Sequence, residues 1–391
     1  MPYYKYLIIG SGMTADAAAS AIRKSDSEGS IGLVSKEYVM PYNRPPLTKD
    51  LWKGKDIDSI WRKTEKLDVT FHLGRVIQSL DAEKKCATDD AGQVYTFEKL
   101  LLATGGTPRQ LPFGMDQIIY FRTLQDYQRL RGLTEKRNRF AVIGGGFIGS
   151  ELAAALAMNG KQVVMIFPDR VIGARMFPID LGMFLNDYFR EKGVEVRTQE
   201  SVTGLKADGE SLILEMENQH PITVDGVVAG LGLQPNLELA EMAGLKVDDG
   251  IIVDEFLLTS HPDIYAAGDV ASFYNPVLEK RMRVEHEDNA NIMGKFAGHN
   301  MAGVATAYEH LPFFYSDLFD LGYEAVGEVD SSLDIVSDWK EPFRKGVVYY
   351  LKDQRVRGVL LWNVSHKVDA ARALIAEPGP FRPEDLKGRL D

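Results

Sequence analysis

The apolar run YLIIG at residues 6–10 breaks at a glycine turn and gives way to an alanine-rich stretch, and the same order returns as FAVIGGGFIGSELAAAL from Phe140. Each copy predicts a strand, a tight turn and a helix. Each is followed by a second apolar run, SIGLVSKE from Ser30 and KQVVMIFPD from Lys161, that completes a strand–helix–strand unit. Shorter strands follow both units: VTFHLGRVIQSL and QVYTFEKLLLATGG after the first, then VEVRTQESVTGL, SLILEMEN and VDGVVAGLGLQPN after the second. Both halves end in a small-residue turn before a proline, Pro108 and Pro235. From about Tyr308 the pattern changes. GYEAVGEVDSS, KGVVYYLKD and RVRGVLLWNV read as antiparallel strands, VDAARALIAE reads as a helix, and a Pro-rich tail follows.

A glycine turn at a helix N-terminus lets free N–H groups and the positive end of the helix dipole approach a pyrophosphate. In the first copy Gly10 and Gly12 take the first two glycine places and Ala15 the third; in the second, Gly144, Gly146 and Gly149 fill all three. Tight packing of helix on sheet is the alternative for either turn. Two Rossmann-like dinucleotide-binding domains followed by an appended α+β domain is the expected architecture, of class α/β. An acidic residue ending the second strand should take a ribose diol. Asp169 fills that place in the second unit and favours NADH over NADPH, although the adjacent Arg170 could receive a 2′-phosphate. In the first unit the place falls at or beside Lys36 and Glu37, and Glu37 is expected to compensate if Lys36 holds it.

Charge and cysteine usage remove several other classes. With 45 Lys and Arg against 56 Asp and Glu the formal net charge is −11, which disfavours nucleic acid as a partner. The basic stretch at residues 129–139 reads as a solvated helix and linker, or else as a docking face. A single cysteine, Cys86, allows no intrachain disulfide, no redox dithiol and no cysteine metal cluster. The opening residues run straight into the first strand without a leader, which predicts a cytoplasmic chain. No run approaches the roughly 18 apolar residues of a membrane span.

Four further motifs carry a family resemblance: PYNRPPLTKDLW at 41–52, LLATGGTPR at 101–109, TSHPDIYAAGDVA at 259–271 and VEHEDNA at 284–290. Together they resemble the FAD-dependent pyridine nucleotide oxidoreductases. GGGFIGSEL, GYEAVGEVDSS and GVLLWNVSHKVDAARALI narrow the likeness to the branch holding apoptosis-inducing factor and the prokaryotic ferredoxin and rubredoxin reductases. The resemblance covers nearly the whole chain. It implies a glutathione-reductase-like fold in which residues 1–120 and 246–305 form a split FAD domain, 121–245 an NAD(P)H domain and 306–391 the C-terminal domain.

The resemblance also assigns residues. Lys49 is placed near flavin N5, where a cation stabilises charge in the reduced ring. Its expected partner is Glu151, a buried pair keeping both groups ionised; support of the helix dipole is the alternative for Glu151. Phe147 resembles the aromatic that covers the flavin face until nicotinamide displaces it. Asp269 is expected on the ribityl chain, or capping a following helix, or both. Arg44 and Arg122 resemble flavin-contacting arginines. Glu285 and His286 resemble residues at the flavin pyrimidine edge and the carboxamide, and Glu324 the carboxylate at the nicotinamide end. Contacts to FAD are further implied for Ser11, Met13, Thr14, Val76, Thr104, Gly105, Gly268 and Tyr315, and contacts to NADH for Gly145, Ile148, Arg175 and Gly232.

The chain departs from the branch in three ways. Tyr315 stands where apoptosis-inducing factor has a tryptophan, SSLDIVSDWKEPF passes directly to KGVVYYL without the long regulatory insertion, and PYNRPPLTKDLW lacks the cysteine pair of the disulfide reductases. Electrons must then leave the flavin directly. The function implied is hydride transfer from NADH or NADPH to FAD, then electron delivery to a rubredoxin or ferredoxin, a quinone or oxygen. The alternative is a redox sensor in which reduction drives homodimerisation or partner binding.

Overall fold

The computed structural model describes residues 1–390, which divide into two compact units. The first comprises Met1–Arg44, Ile57–Thr107 and Gln234–Pro312. Its centre is a sheet in which Tyr3–Ile9 runs parallel to Ile31–Ser35 on one side and to Val94–Leu102 on the other. Val69–Leu73 extends the first edge in parallel, and Ile264–Ala266 pairs in parallel with Val94–Leu102. The antiparallel strands Cys86–Asp89 and Ile77–Asp81 complete it. The run VTFHLGRVIQSL is therefore two strands, parted at Gly74, whose φ of +67° turns the chain.

Fully buried strands read as continuous apolar runs because both faces are covered. One cover is the helix Met13–Ser25, rich in alanine on its buried side. Across it lies Glu287–Met301, where Gly294 and Gly298 stand four residues apart on one face. A Cβ on Gly294 would collide with the Thr14 carbonyl, and one on Gly298 with that of Ala18, so the two backbones meet where side chains would hold them apart.

The second unit comprises Pro45–Asp56, Pro108–Leu233 and Phe313–Asp391. It holds a parallel sheet in the order Val194–Thr198, Gln162–Phe167, Arg139–Ile143, Gly226–Ala229, Ile118–Tyr120. The helix Leu124–Lys136 opens on a capping box in which Thr123 and Asp126 satisfy each other's backbone N–H groups. A three-stranded antiparallel sheet, Val202–Asp208, Ser211–Met216 and Ile222–Val224, sits beside it. The C-terminal region is a five-stranded antiparallel sheet in the order Phe313–Leu318, Leu321–Gly327, Arg355–Trp362, Lys345–Lys352, Asp334–Glu341, packed against the helix Val368–Ala376. Three of these strands are those expected; Phe313–Leu318 and Asp334–Glu341 are additional.

Candidate functional site

In the first unit the glycine turn joins Tyr3–Ile9 to Met13–Ser25. Gly10 has φ +119°, and a Cβ there would strike the Ala103 carbonyl. Gly12 is the N-cap, it makes no side-chain cap, and the space its Cβ would occupy is open. Uncapped N–H groups facing open space suit a pyrophosphate. The neighbours are ordered: Ser11 Oγ meets Ser35 Oγ at 2.6 Å, and Met13 and Thr14 are buried.

At the end of Ile31–Ser35, Lys36 points into solvent while Glu37 is drawn inward. Glu37 Oε2 accepts from the Tyr42 hydroxyl at 2.7 Å, and Oε1 from Arg44 Nη2 at 2.5 Å. Burial works against the Arg44 charge, but Tyr42 and Glu37 outweigh it and hold the guanidinium more firmly protonated than usual. Thr104 is stitched to Asn236, its hydroxyl donating to the Asn236 carbonyl at 3.1 Å and its carbonyl accepting from Asn236 Nδ2 at 2.8 Å. The Gly105 carbonyl accepts from the Asn236 N–H at 3.0 Å. Val76 is solvent-exposed beside Asp90, whose N–H it receives at 2.9 Å.

Gly268, at φ +80°, lies against the Thr14 hydroxyl. Asp269 follows, and its expected role as a helix cap is corrected here: the chain turns through an Ala271 N–H to Gly268 carbonyl bond and enters the strand Ala271–Asn275. The N-cap of the helix Glu287–Met301 is His286. Glu285 is paired with Arg283 at 2.6 Å. Burial pushes the His286 imidazole down to about 4, against the opposing pull of Asp269 and Asp288.

In the second unit the glycine turn joins Arg139–Ile143 to the helix Phe147–Met158. Gly144 repeats the geometry of Gly10 with φ +117°, Gly146 is an N-cap without a side-chain cap, and Gly149 packs on the Gly144 carbonyl. Gly145 lies against the Phe167 ring and accepts from the Gly173 N–H at 2.8 Å; Ile148 is half-buried. Asp169 stands exposed just beyond Gln162–Phe167, beside an exposed Arg170. Gly232 has φ +85° with open space at its Cβ position. Arg175 is exposed, and its carbonyl accepts from the Ser331 N–H at 3.0 Å. Arg122 donates its N–H to Asp126 Oδ2 at 3.0 Å, at the mouth of the capping box. In the basic stretch Arg137 pairs with Glu210 at 3.0 Å, Arg139 with Glu195 at 3.7 Å, and Arg131 lies 5.3 Å over the Trp52 ring.

The unit also assembles a buried ionic cluster. Two prolines fix the backbone before Thr48 and Lys49, whose N–H groups donate to the carbonyls of Pro45 and Pro46. Trp52 then anchors the segment through Nε1 to the Leu47 carbonyl at 2.8 Å, and Asn159 Nδ2 reaches the Trp52 carbonyl at 3.1 Å. Phe147 and Glu151, four residues apart, share one helix face. Lys49 Nζ meets Glu151 Oε1 at 2.5 Å, with the two side chains 7% and 1% exposed. Glu151 lies past the first turn, which contains no acid, so dipole support is not its role.

The ammonium of Lys49 is 5.3 Å from the Phe147 ring centroid and 5.1 Å from that of Tyr315. Opposite Tyr315 in the antiparallel pairing is Glu324, whose carboxyl burial raises and His366 opposes; its buried Oε2 has no hydrogen-bond partner among the described residues. Sequence reasoning missed two members of the cluster. The Ser316 hydroxyl donates to Glu151 Oε1 at 2.6 Å and the Thr48 hydroxyl to Oε2 at 2.5 Å. Thr48 adjoins the recognised lysine and Ser316 the recognised Tyr315, but neither hydroxyl is marked by its own residue type.

Comparison with known proteins places these features in a family. The family model for pyridine nucleotide-disulphide oxidoreductases matches residues 4–294, and that for the C-terminal region of apoptosis-inducing factor matches 297–342 and 337–377. The chain is 34% identical to the mitochondrial apoptosis-inducing factor 1 of Dictyostelium discoideum, covering 95% of this chain and 78% of the relative. It is 33% identical to the 5,5′-dehydrodivanillate O-demethylase ferredoxin reductase subunit of a Sphingobium species, covering 96% and 94%. A chain of the crystallised covalent putidaredoxin reductase–putidaredoxin complex superposes with a TM-score of 0.91 at 29% identity, over 97% of this chain and 95% of that one. No helix among the described residues is long and apolar enough to cross a membrane. With two uncapped glycine turns that suit two dinucleotides, and with family models and relatives that match nearly its whole length, the chain belongs to the pyridine nucleotide-disulphide oxidoreductase family, as an oxidoreductase of FAD and NAD(H).

Proposed function

We propose that this protein is a reductase component that accepts hydride from NADH and passes electrons singly from FAD to a small iron–sulphur redox protein of the ferredoxin class. The observation that carries the reading is the buried Lys49–Glu151 pair, framed by Phe147 and Tyr315. Bound FAD supplies the two-electron to one-electron conversion that such a transfer needs. The protein's own part is to bind, orient and exclude water. In this reading residues 1–120 and 246–305 hold FAD. Gly10 and Gly12 take its pyrophosphate, Glu37 a ribose hydroxyl, and Asp269, Glu285 and His286 the flavin end. Residues 121–245 hold NADH, with Asp169 on its ribose and Gly232 beside the nicotinamide half. Lys49 provides the cation for the reduced ring, and Glu324 faces the nicotinamide. The similarity to two reductases whose names specify ferredoxin or putidaredoxin supports this acceptor class. The lone cysteine is in keeping with a cytoplasmic location, to be checked by cell fractionation.

Anaerobic titration with NADH tests the reading: the flavin should bleach at one equivalent, NADPH should act far more slowly, and adding oxidised ferredoxin should restore the yellow spectrum within seconds. The match to the apoptosis-inducing factor C-terminal region favours a second reading, a redox sensor. It predicts a long-lived long-wavelength band, slow reoxidation by every acceptor and a doubled mass on reduction.

A further inference from the structure

Glu151 is served by more donors than its ion pair requires. Its Oε1 accepts from both Lys49 Nζ and Ser316 Oγ, and its Oε2 from Thr48 Oγ1. All four side chains are buried, Ser316 and Glu151 at 1% exposure. The donors come from separate parts of the second unit: the turn after Pro45–Leu47 and the C-terminal strand Phe313–Leu318. Ser316 is opposite Tyr323, whose phenol is held well above its ordinary value by burial and by the Glu151 charge. The field of that carboxylate therefore reaches beyond its lysine.

A carboxylate can accept about four hydrogen bonds, and in low dielectric its charge acts strongly on whichever donors surround it. With two hydroxyls on Glu151, Lys49 is one of three groups sharing the negative charge. We propose that Ser316 and Thr48 are positioning residues for flavin reduction: by taking part of the Glu151 charge they leave more of the Lys49 positive charge uncompensated for the reduced ring. The proposal rests on the placement of Lys49 beside the flavin given above. Without the Ser316 hydroxyl, Oε1 keeps only Lys49, already at 2.5 Å, more of the Glu151 charge goes uncompensated, and the site becomes more negative where charge must accumulate.

The test compares Ser316→Ala, Ser316→Thr, Thr48→Val and Lys49→Met in the FAD-loaded enzyme. The flavin midpoint potential is read by equilibration with a reference dye, and flavin reduction by stopped flow at saturating NADH. Ser316→Ala should shift the reduction equilibrium about tenfold toward oxidised flavin, about 30 mV for a two-electron couple. The same variant should slow reduction with the KM for NADH unchanged, while Ser316→Thr restores both. Thr48→Val, nearly isosteric, should move the potential in the same direction and guards against a folding defect in the serine variant. If Lys49→Met shifts the potential and neither Ser316→Ala nor Thr48→Val does, the charge-sharing proposal is overturned although the lysine assignment stands. If Lys49→Met leaves the potential unchanged, the lysine assignment fails, and this proposal with it.

Discussion

Deleting one member of the Lys49–Glu151 pair should be far more damaging than deleting both. Glu151→Leu leaves an ammonium only 7% exposed without its counter-ion, and leaves the Thr48 and Ser316 hydroxyls without their acceptor. Breaking a buried pair in this way costs about 3–5 kcal/mol, because the remaining charge has lost both water and partner. Lys49→Met strands a carboxylate that is 1% exposed, at a similar cost of about 3–5 kcal/mol offset in part by the two hydroxyls that remain. In the double variant no stranded charge remains, Met and Leu fill most of the vacated volume, and the net cost should fall to about 1–3 kcal/mol, left mainly by the Thr48 and Ser316 hydroxyls that still lack their acceptor. The coupling energy of the cycle is then at least about 3 kcal/mol. Urea unfolding in the absence of added FAD separates this effect from cofactor binding. Trp52, edge-on to Tyr127 at 5.6 Å in the same unit, is a local fluorescence reporter. Additive single variants, or single costs below about 1 kcal/mol, would refute the claim that the pair is desolvated and mutually dependent.

Three other outcomes are expected. His286 is held neutral by burial, with its imidazole down at about 4 against about 6.5 in the unfolded chain, so the stability it contributes is full above pH 6.5 and lost as the pH falls toward 4. Relative to His286→Asn, the wild type should lose about 3 kcal/mol over that interval; parallel pH–stability curves would show the histidine is not responsible. Gly294→Leu forces a side chain into the Thr14 carbonyl and should cost about 1–3 kcal/mol and weaken FAD retention on gel filtration, whereas Gly132→Ala, on the helix Leu124–Lys136 with open surroundings, should keep its flavin. Thr123→Ala removes one half of the capping box and should lower stability by about 1 kcal/mol in thermal unfolding, with Thr123→Ser restoring most of it.

The parts of the fold that were legible are those in which local sequence and burial agree. Tyr3–Ile9 and Arg139–Ile143 are apolar on both faces and each runs into a glycine whose φ is near +118°, so strand and turn announce each other. Asp334–Glu341 was not legible because it is an edge strand, mostly half-buried, with no apolar alternation to mark a face. The crossing at Gly294 and Gly298 was hidden for a different reason: a glycine that admits a neighbouring backbone looks, in sequence, like one that weakens a helix. Within the site, Lys49 and Glu151 are separated by 102 positions, and only the family resemblance joined them. The resemblance reached Tyr315 but not Ser316, since a serine between an aromatic and an aspartate on a short strand carries no chemistry of its own until the fold brings a carboxylate to it.

The close crossing of Met13–Ser25 with Glu287–Met301 has a bearing on synthesis. The first glycine turn leaves the ribosome long before the elements that close on it: the helix behind it is covered by a helix ending at Met301, and its sheet is extended by Ile264–Ala266. The first unit must therefore wait with Met13, Thr14 and Ala18 uncovered while all of Pro108–Leu233 is translated. The parallel sheet within that intervening segment is contiguous and can form as it emerges. Closure of the first unit thus waits for residue 301, and a ribosome stalled before it would hold a folded parallel sheet attached to an open, aggregation-prone unit.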